Sequence, residues 1–148
     1  MKQTKIRVLA LDLEGTIISG ADGVFPRPGL YDFLQWSGEM FERIVLFTCV
    51  SEEHVKDIAR QLVEEQAAPE WFRDVECVAW EGTYKDLTFV KDAAPGEILL
   101  VDDKRIFISP QQKEQWVPVP RYLPPYSDED DELDRLRDRL IQRCAPDR

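Results

Sequence analysis

Three short apolar runs in this 148-residue chain each end on a polar residue, and that repeated pattern constrains the fold more than anything else in it. Ile6-Arg7-Val8-Leu9-Ala10-Leu11 ends at Asp12, residues 43–48 end on Thr48, and residues 97–101 end at Asp102-Asp103. Such runs, rich in Val, Ile and Leu without strict alternation, mark strands buried on both faces, as in a parallel sheet. Parallel strands need crossovers, and the intervening segments read as helices. Pro26-Arg27-Pro28-Gly29 opens one that carries Leu30, Phe33 and Leu34 on one face, with Trp36 nearby. Ser51 is a good N-cap for a second, with Glu52 and Glu53 in the first turn and Val55, Ile58, Ala59 and Leu62 as its stripe. A closing helix, capped near Ser127, is striped by Leu133, Leu136 and Leu140. Residues 74–80 read as another strand, and Val117-Pro118-Val119 as a short edge strand, since Pro cannot donate to an interior ladder. The expected fold is α/β: a single doubly wound parallel sheet with helices on both faces, no large cap domain, and one domain over residues 1–148.

In an open sheet of this kind the C-terminal strand ends face one crevice, the usual ligand site. Any one of Asp12, Thr48 and Asp102 has a plain reading as a helix cap, but the three with a lysine between the second and third read as a site. The formal net charge of -10 comes partly from the run Asp128-Glu129-Asp130-Asp131-Glu132, which reads as a solvated helix start and lacks EF-hand spacing. So acidic a surface repels polyphosphate backbones, which excludes general nucleic-acid binding. No stretch approaches the roughly 20 apolar residues of a membrane span. Met1-Lys2-Gln3-Thr4-Lys5 leads straight into a strand, without the apolar region of a signal peptide, so a cytoplasmic protein without membrane attachment is expected. Cys49, Cys77 and Cys144 are odd in number and form no C-x-x-C pair, as expected of reduced thiols. The only histidine, His54, falls in a helix first turn with no Ser or Cys motif beside it, and no P-loop is present.

Asp12-Leu13-Glu14-Gly15-Thr16 resembles the D-x-D-G-T signature of the haloacid dehalogenase superfamily, whose core is Rossmann-like. Leu46-Phe47-Thr48 resembles its second motif and Leu99-Leu100-Val101-Asp102-Asp103 its acidic fourth motif. More narrowly, Arg27-Pro28-Gly29-Leu30, Phe47-Thr48-Cys49, Glu81-Gly82-Thr83-Tyr84-Lys85-Asp86-Leu87 and Val101-Asp102-Asp103 are similar to motifs of the small C-terminal-domain phosphatases, also called NLI-interacting-factor-like. There the corresponding pieces read roughly R-P-G, F-T-A, E-G-N-Y-V-K-D-L and V-D-D-S-P. The resemblance runs from Ile6 to Leu140, with its motifs in the family's order.

It implies a magnesium-dependent phosphomonoester hydrolase working through an aspartyl-phosphate, on a phosphorylated small molecule or a phosphoprotein. Asp12 is the expected nucleophile, splitting one difficult displacement into two easier ones. A carboxylate approaching a phosphate dianion meets charge repulsion, so a hard cation is expected. Asp12, the backbone carbonyl of Glu14, and Asp102 or Asp103 are its expected ligands for Mg2+. Thr48 is expected to bond a phosphoryl oxygen near a helix start, and Lys85 to offset charge on the transferring group, with Lys91 as the other candidate.

Two departures bear on catalysis and substrate. Glu14 stands where the family has Asp as acid and base; it keeps the carboxyl but adds a methylene, and misplacement of about an ångström can cost ~100-fold. Only residues 17–26 separate the nucleophile motif from Arg27-Pro28-Gly29, where eukaryotic relatives carry a longer insert that helps form an apolar pocket for a proline-containing phosphopeptide. Both leave a second reading open, a catalytically weak or inert domain of this fold used for binding or regulation.

Overall fold

In the computed structural model, which describes residues 5–20 and 23–145, the predicted strands assemble into one parallel five-stranded sheet. The residues Met1 to Thr4, where a leader was not expected, lie outside the described range. The strands are β1 (Val8–Leu11), β2 (Arg43–Leu46), β3 (Glu76–Cys77), β4 (Ile98–Asp102) and β5 (Trp116–Pro118), in the order β3-β2-β1-β4-β5. The α-helices are α1 (Leu30–Met40), α2 (Glu52–Glu64) and α3 (Glu132–Cys144).

The order follows from chain handedness. Right-handed crossovers from β1 to β2 and from β2 to β3 move one way along the sheet and place α1 and α2 on the same face. The chain then returns past β1 to β4 and steps on to β5, which puts those connections on the opposite face. The core divides accordingly. Leu9 and Leu11 of β1, and Leu99 and Val101 of β4, pack with the stripes of all three α-helices. Val8, Ala10, Ile98 and Leu100 point the other way and pack with Leu87, Val90 and Ile108. That second face is covered by 3-10 turns, among them Leu87–Phe89 and Arg105–Phe107, so helical segments lie on both faces but differ in kind. No large cap interrupts the fold among the described residues.

The predicted stripes are buried as read: Leu30, Phe33 and Leu34 in α1, Val55, Ile58, Ala59 and Leu62 in α2, Leu133, Leu136 and Leu140 in α3. Ser51 caps α2 by accepting a hydrogen bond from the His54 backbone N–H at 3.3 Å. The predicted strand at residues 74–80 shrinks to Glu76–Cys77, because after the bond from Val78 N–H to the Leu46 carbonyl the chain leaves the ladder. The closing helix starts at Glu132, later than Ser127, whose hydroxyl instead accepts from the Glu129 N–H in a local turn. No helix among the described residues is long and apolar enough to cross a membrane.

Candidate active site

The sheet reverses its winding direction at β1 and β4, the place where such folds open a crevice. Leu11 pairs with Val101 in register, so Asp12 and Asp102 are level on neighbouring strands. Both continue the parity of Ala10 and Leu100 and therefore turn toward the second face. From that face, out of the connection between β3 and β4, comes Lys85. Its Nζ lies 3.0 Å from Asp12 Oδ1 and 2.5 Å from Asp102 Oδ2, with the residue only 1% exposed. The Phe107 ring, 5.0 Å from Nζ, closes the far side.

All but one of the remaining carboxylate oxygens are also held. Asp102 Oδ1 accepts from the Lys104 N–H at 2.9 Å. Thr16 Oγ1 lies 2.8 Å from Asp12 Oδ2 and 3.2 Å from Asp103 Oδ1, bridging two acids. Asp103 Oδ2 is buried without a hydrogen bond; its one charged neighbour, Arg121 Nε, stands 3.6 Å away on a half-exposed side chain. Gly15, at φ +81°, makes this approach possible, since a Cβ there would lie 2.7 Å from Asp103 Oδ2.

Electrostatics follow from burying two acids against one ammonium, with a third acid beside them. Burial pushes the Asp12 carboxyl up, to about 8, with Lys85 pulling it down and Asp102 pushing it further up. Asp102 is likewise raised by burial against the pull of Lys85. Burial acts to lower Lys85, but the Asp12 and Asp102 carboxylates outweigh it and hold the ammonium above its ordinary value. Oxygens of Asp12, Asp102 and Asp103 all lie within 4.8 Å of one another. Hard oxygen donors at that separation, from a set of acids in which Asp103 Oδ2 is buried without a hydrogen bond, fit a magnesium-type cation.

Thr48 stands two residues beyond β2, with its Oγ1 accepting from the Val50 N–H at 3.1 Å, which leaves the hydroxyl proton to donate elsewhere. It borders a cleft of about 450 Å³ shared with Cys49, Ser51 and Trp80. The neighbouring Cys49 thiol is raised by burial and also feels Lys85, Asp12 and Asp102, so this loop lies within electrostatic reach of the acids. Glu14 is half-buried, and its side chain makes no hydrogen bond or ion pair among the described residues. Lys91 is exposed and contributes only its carbonyl, which accepts from Arg43. The short stretch after the Asp12 motif closes on itself, with Ser19 N–H donating to the Phe25 carbonyl and Arg27 N–H to that of Ile17.

Several supporting residues had no role in the sequence reading. Arg27, 1% exposed, holds Asp130 with Nε at 3.0 Å and Nη2 at 3.2 Å, while Nη1 donates to the Thr16 carbonyl at 3.0 Å. The acidic run read as a solvated helix start thus sends one member to a buried arginine. Trp80 donates to the Thr48 carbonyl at 2.8 Å and Trp116 to that of Asp102 at 3.0 Å. Thr16 and Arg27 stand in the motifs, the first four residues beyond Asp12 and the second in Arg27-Pro28-Gly29, but with no role attached to either.

Residues 7–146 match the NLI interacting factor-like phosphatase family. The chain belongs to that family. As an NLI interacting factor-like phosphatase it is of the haloacid dehalogenase type, and its fold agrees. Among solved structures it is similar to the fission yeast RNA polymerase II CTD phosphatase Fcp1, in an arginine-to-alanine variant bound to beryllium fluoride, with TM-score 0.60 and 16% identity over 93% of this chain. The chain spans 50% of that protein's length. No curated protein matches.

Proposed function

We propose that this phosphatase domain hydrolyses phosphomonoesters, with a phosphoprotein as substrate, by transient phosphorylation of Asp12. The observation that carries this reading is the placing of Lys85 between Asp12 and Asp102 at two level strand ends, with a third acid, Asp103, bridged to Asp12 through Thr16. One Asp103 oxygen accepts no hydrogen bond and is open to a cation, and burying so many charges costs stability, as functional sites commonly do.

In the proposed sequence an Asp12 oxygen attacks phosphorus in line with the leaving oxygen, forming the carboxyl–phosphate bond as the ester bond breaks. Lys85 and the Thr48 hydroxyl donate to the phosphoryl oxygens and offset their charge. Glu14 gives its proton to the departing oxygen, then takes one from the water that cleaves the aspartyl-phosphate and releases inorganic phosphate. Asp12, Asp102 and Asp103, with the Glu14 carbonyl, are the residues that would hold Mg2+. Such a cation neutralises charge between nucleophile and phosphate. The phosphoprotein assignment draws support from Fcp1, named for its action on a polymerase domain, and localisation in the cytoplasm belongs to the same proposal.

The test is hydrolysis of para-nitrophenyl phosphate with magnesium, with chelator, and by Asp12→Asn. Activity is expected only in the first case. Full turnover in Asp12→Asn would remove the proposal. Inactivity of the wild type over a broad phosphomonoester panel would favour the second reading, a binding or regulatory domain, for which Glu14 in place of Asp is the one specific observation.

A further inference from the structure

Beyond the phosphoryl site, the second face carries a larger and quite different depression. It encloses about 720 Å³ and is lined by Tyr84, Ile106, Ile108 and Trp116, with the cationic Arg105 and Lys113 also in its lining. Ile106 is 71% exposed, more than any other large apolar residue described, Leu123, Met40 and Ile141 included. Arg105 and Lys113 enter no ion pair among the described residues. The net charge of -10 makes an uncommitted basic pair in an apolar lining the more distinctive.

We infer that this groove docks a segment of the phosphoprotein substrate in which a large apolar side chain is flanked by acidic residues. Charge complementarity selects this occupant: the floor takes an apolar side chain, while Arg105 and Lys113 face carboxylates on either side of it. The groove also adjoins the phosphoryl site through a thin wall. Tyr84 lines the groove and Lys85, the next residue, meets Asp12. Ile106 and Ile108 line it too, while Phe107 between them lies against Lys85 and its carbonyl accepts from the Lys85 N–H at 2.8 Å. An extended peptide covers about 3.3 Å per residue, so a docked side chain roughly four to six residues from the phosphoserine reaches around this wall. Docking outside the reacting centre adds affinity for one class of phosphoprotein without altering the chemistry.

This inference rests on the proposed phosphoprotein activity, and the experiment separates the two. The probes are a phosphoserine peptide with leucine between two aspartates five residues from the phosphate, and a control with serine and two lysines in those places. Wild type, Ile106→Glu, and the double variant Arg105→Glu with Lys113→Glu are assayed on both peptides and on para-nitrophenyl phosphate. Expected is a rise of about tenfold in KM for the first peptide in each variant, with the control and the aryl phosphate changed less than about twofold. No change on the first peptide, or equal losses on all three substrates, overturns the inference. So does a dimer of the wild type in sedimentation that Ile106→Glu dissociates, since the occupant is then a second copy. If the wild type hydrolyses nothing, the functional reading fails. Fluorescence anisotropy with the unphosphorylated first peptide then decides the groove alone: weakening by Ile106→Glu upholds it, and absence of binding to the wild type refutes it.

Discussion

The indole N–H of Trp80 donates to the main-chain carbonyl of Thr48 at 2.8 Å, so a side chain from the crossover between β3 and β4 fixes the loop that follows β2. The same ring stacks edge-on with Phe47 and Phe107, at centroid separations of 5.6 and 6.2 Å. One aromatic residue thereby joins the Thr48 loop to the wall behind Lys85.

Trp80→Phe keeps most of that ring packing and removes only the donor. Stability is expected to fall by about 1–2 kcal/mol, the usual range for an unsatisfied carbonyl, as measured by urea unfolding. Turnover should fall with it, because the Thr48 hydroxyl is no longer held in place. A variant with unchanged turnover would show that the loop is positioned by other contacts.

Lys85→Ala and Lys91→Ala form a matched pair. Only the first removes a cation in contact with Asp12 and Asp102, and its turnover is expected to drop by about 10²–10³-fold while Lys91→Ala stays near wild type. Loss of the ammonium also leaves two buried carboxylates unpaired, so the Lys85→Ala protein should be markedly more stable at pH 5 than at pH 8. Thermal melts at both values report this separately from activity.

How far the sequence foretells such a site depends on how local the pattern is. Leu11–Asp12 and Val101–Asp102 are legible because a strand buried on both faces has no polar residues until it ends, so the first acid marks the crevice. The α1 and α2 stripes are legible for the same reason, period matching burial. Lys85 lies in a stretch without periodicity, and only the family resemblance singles it out from Lys91. Arg27 and Asp130 lie 103 residues apart, and no local pattern announces their pairing. That pairing also accounts for the late start of α3, since Asp130 is drawn to the arginine just before Glu132 begins the helix. The apolar pattern overstates β3 because Val78 and Trp80 are apolar for a second reason, covering the far face of the sheet.

Proton and metal compete for the same carboxyl group. The Asp12 pKa rises from 3.8 to about 8 on folding, so across that range the metal-free fold binds more protons than the unfolded chain and loses stability as pH rises. A bound cation favours the ionised form. The gain in Tm from added magnesium is therefore expected to be larger at pH 8 than at pH 6, and nearly absent in Asp12→Asn. A gain independent of pH would place the cation elsewhere.

Arg27→Met deletes a buried charge from Asp130 and a donor from the Thr16 carbonyl. The expected cost is about 3 kcal/mol, or a Tm lower by roughly 6–12 °C for a chain of this size. Arg27→Lys should recover little, because a single ammonium cannot reproduce the fork that spans both Asp130 oxygens and the carbonyl. Calorimetry on the pair distinguishes loss of charge from loss of geometry.

Glu14→Gln tests the proton donor. Single-turnover hydrolysis of an alkyl phosphate, whose leaving group needs a proton, should slow by about 100-fold, and phosphoryl transfer from an aryl phosphate by less. Glu14→Asp shortens the reach, and a faster rate would mean that the extra methylene had been limiting. Equal alkyl rates for wild type and Glu14→Gln would assign the proton to another group.

The split between an α-helical face and a 3-10 face means that durability and the candidate site are lodged in different halves of the molecule. Asp12 and Asp102 turn toward the side closed by short turns, away from the side where α1, α2 and α3 interlock. Short turns bury less and unlatch more readily than helices. Amide exchange should accordingly be fastest along residues 81–97 and 103–115 and slowest in β1 and β4. The lid over the acids can breathe, or be rebuilt by insertion, while the keel beneath stays shut.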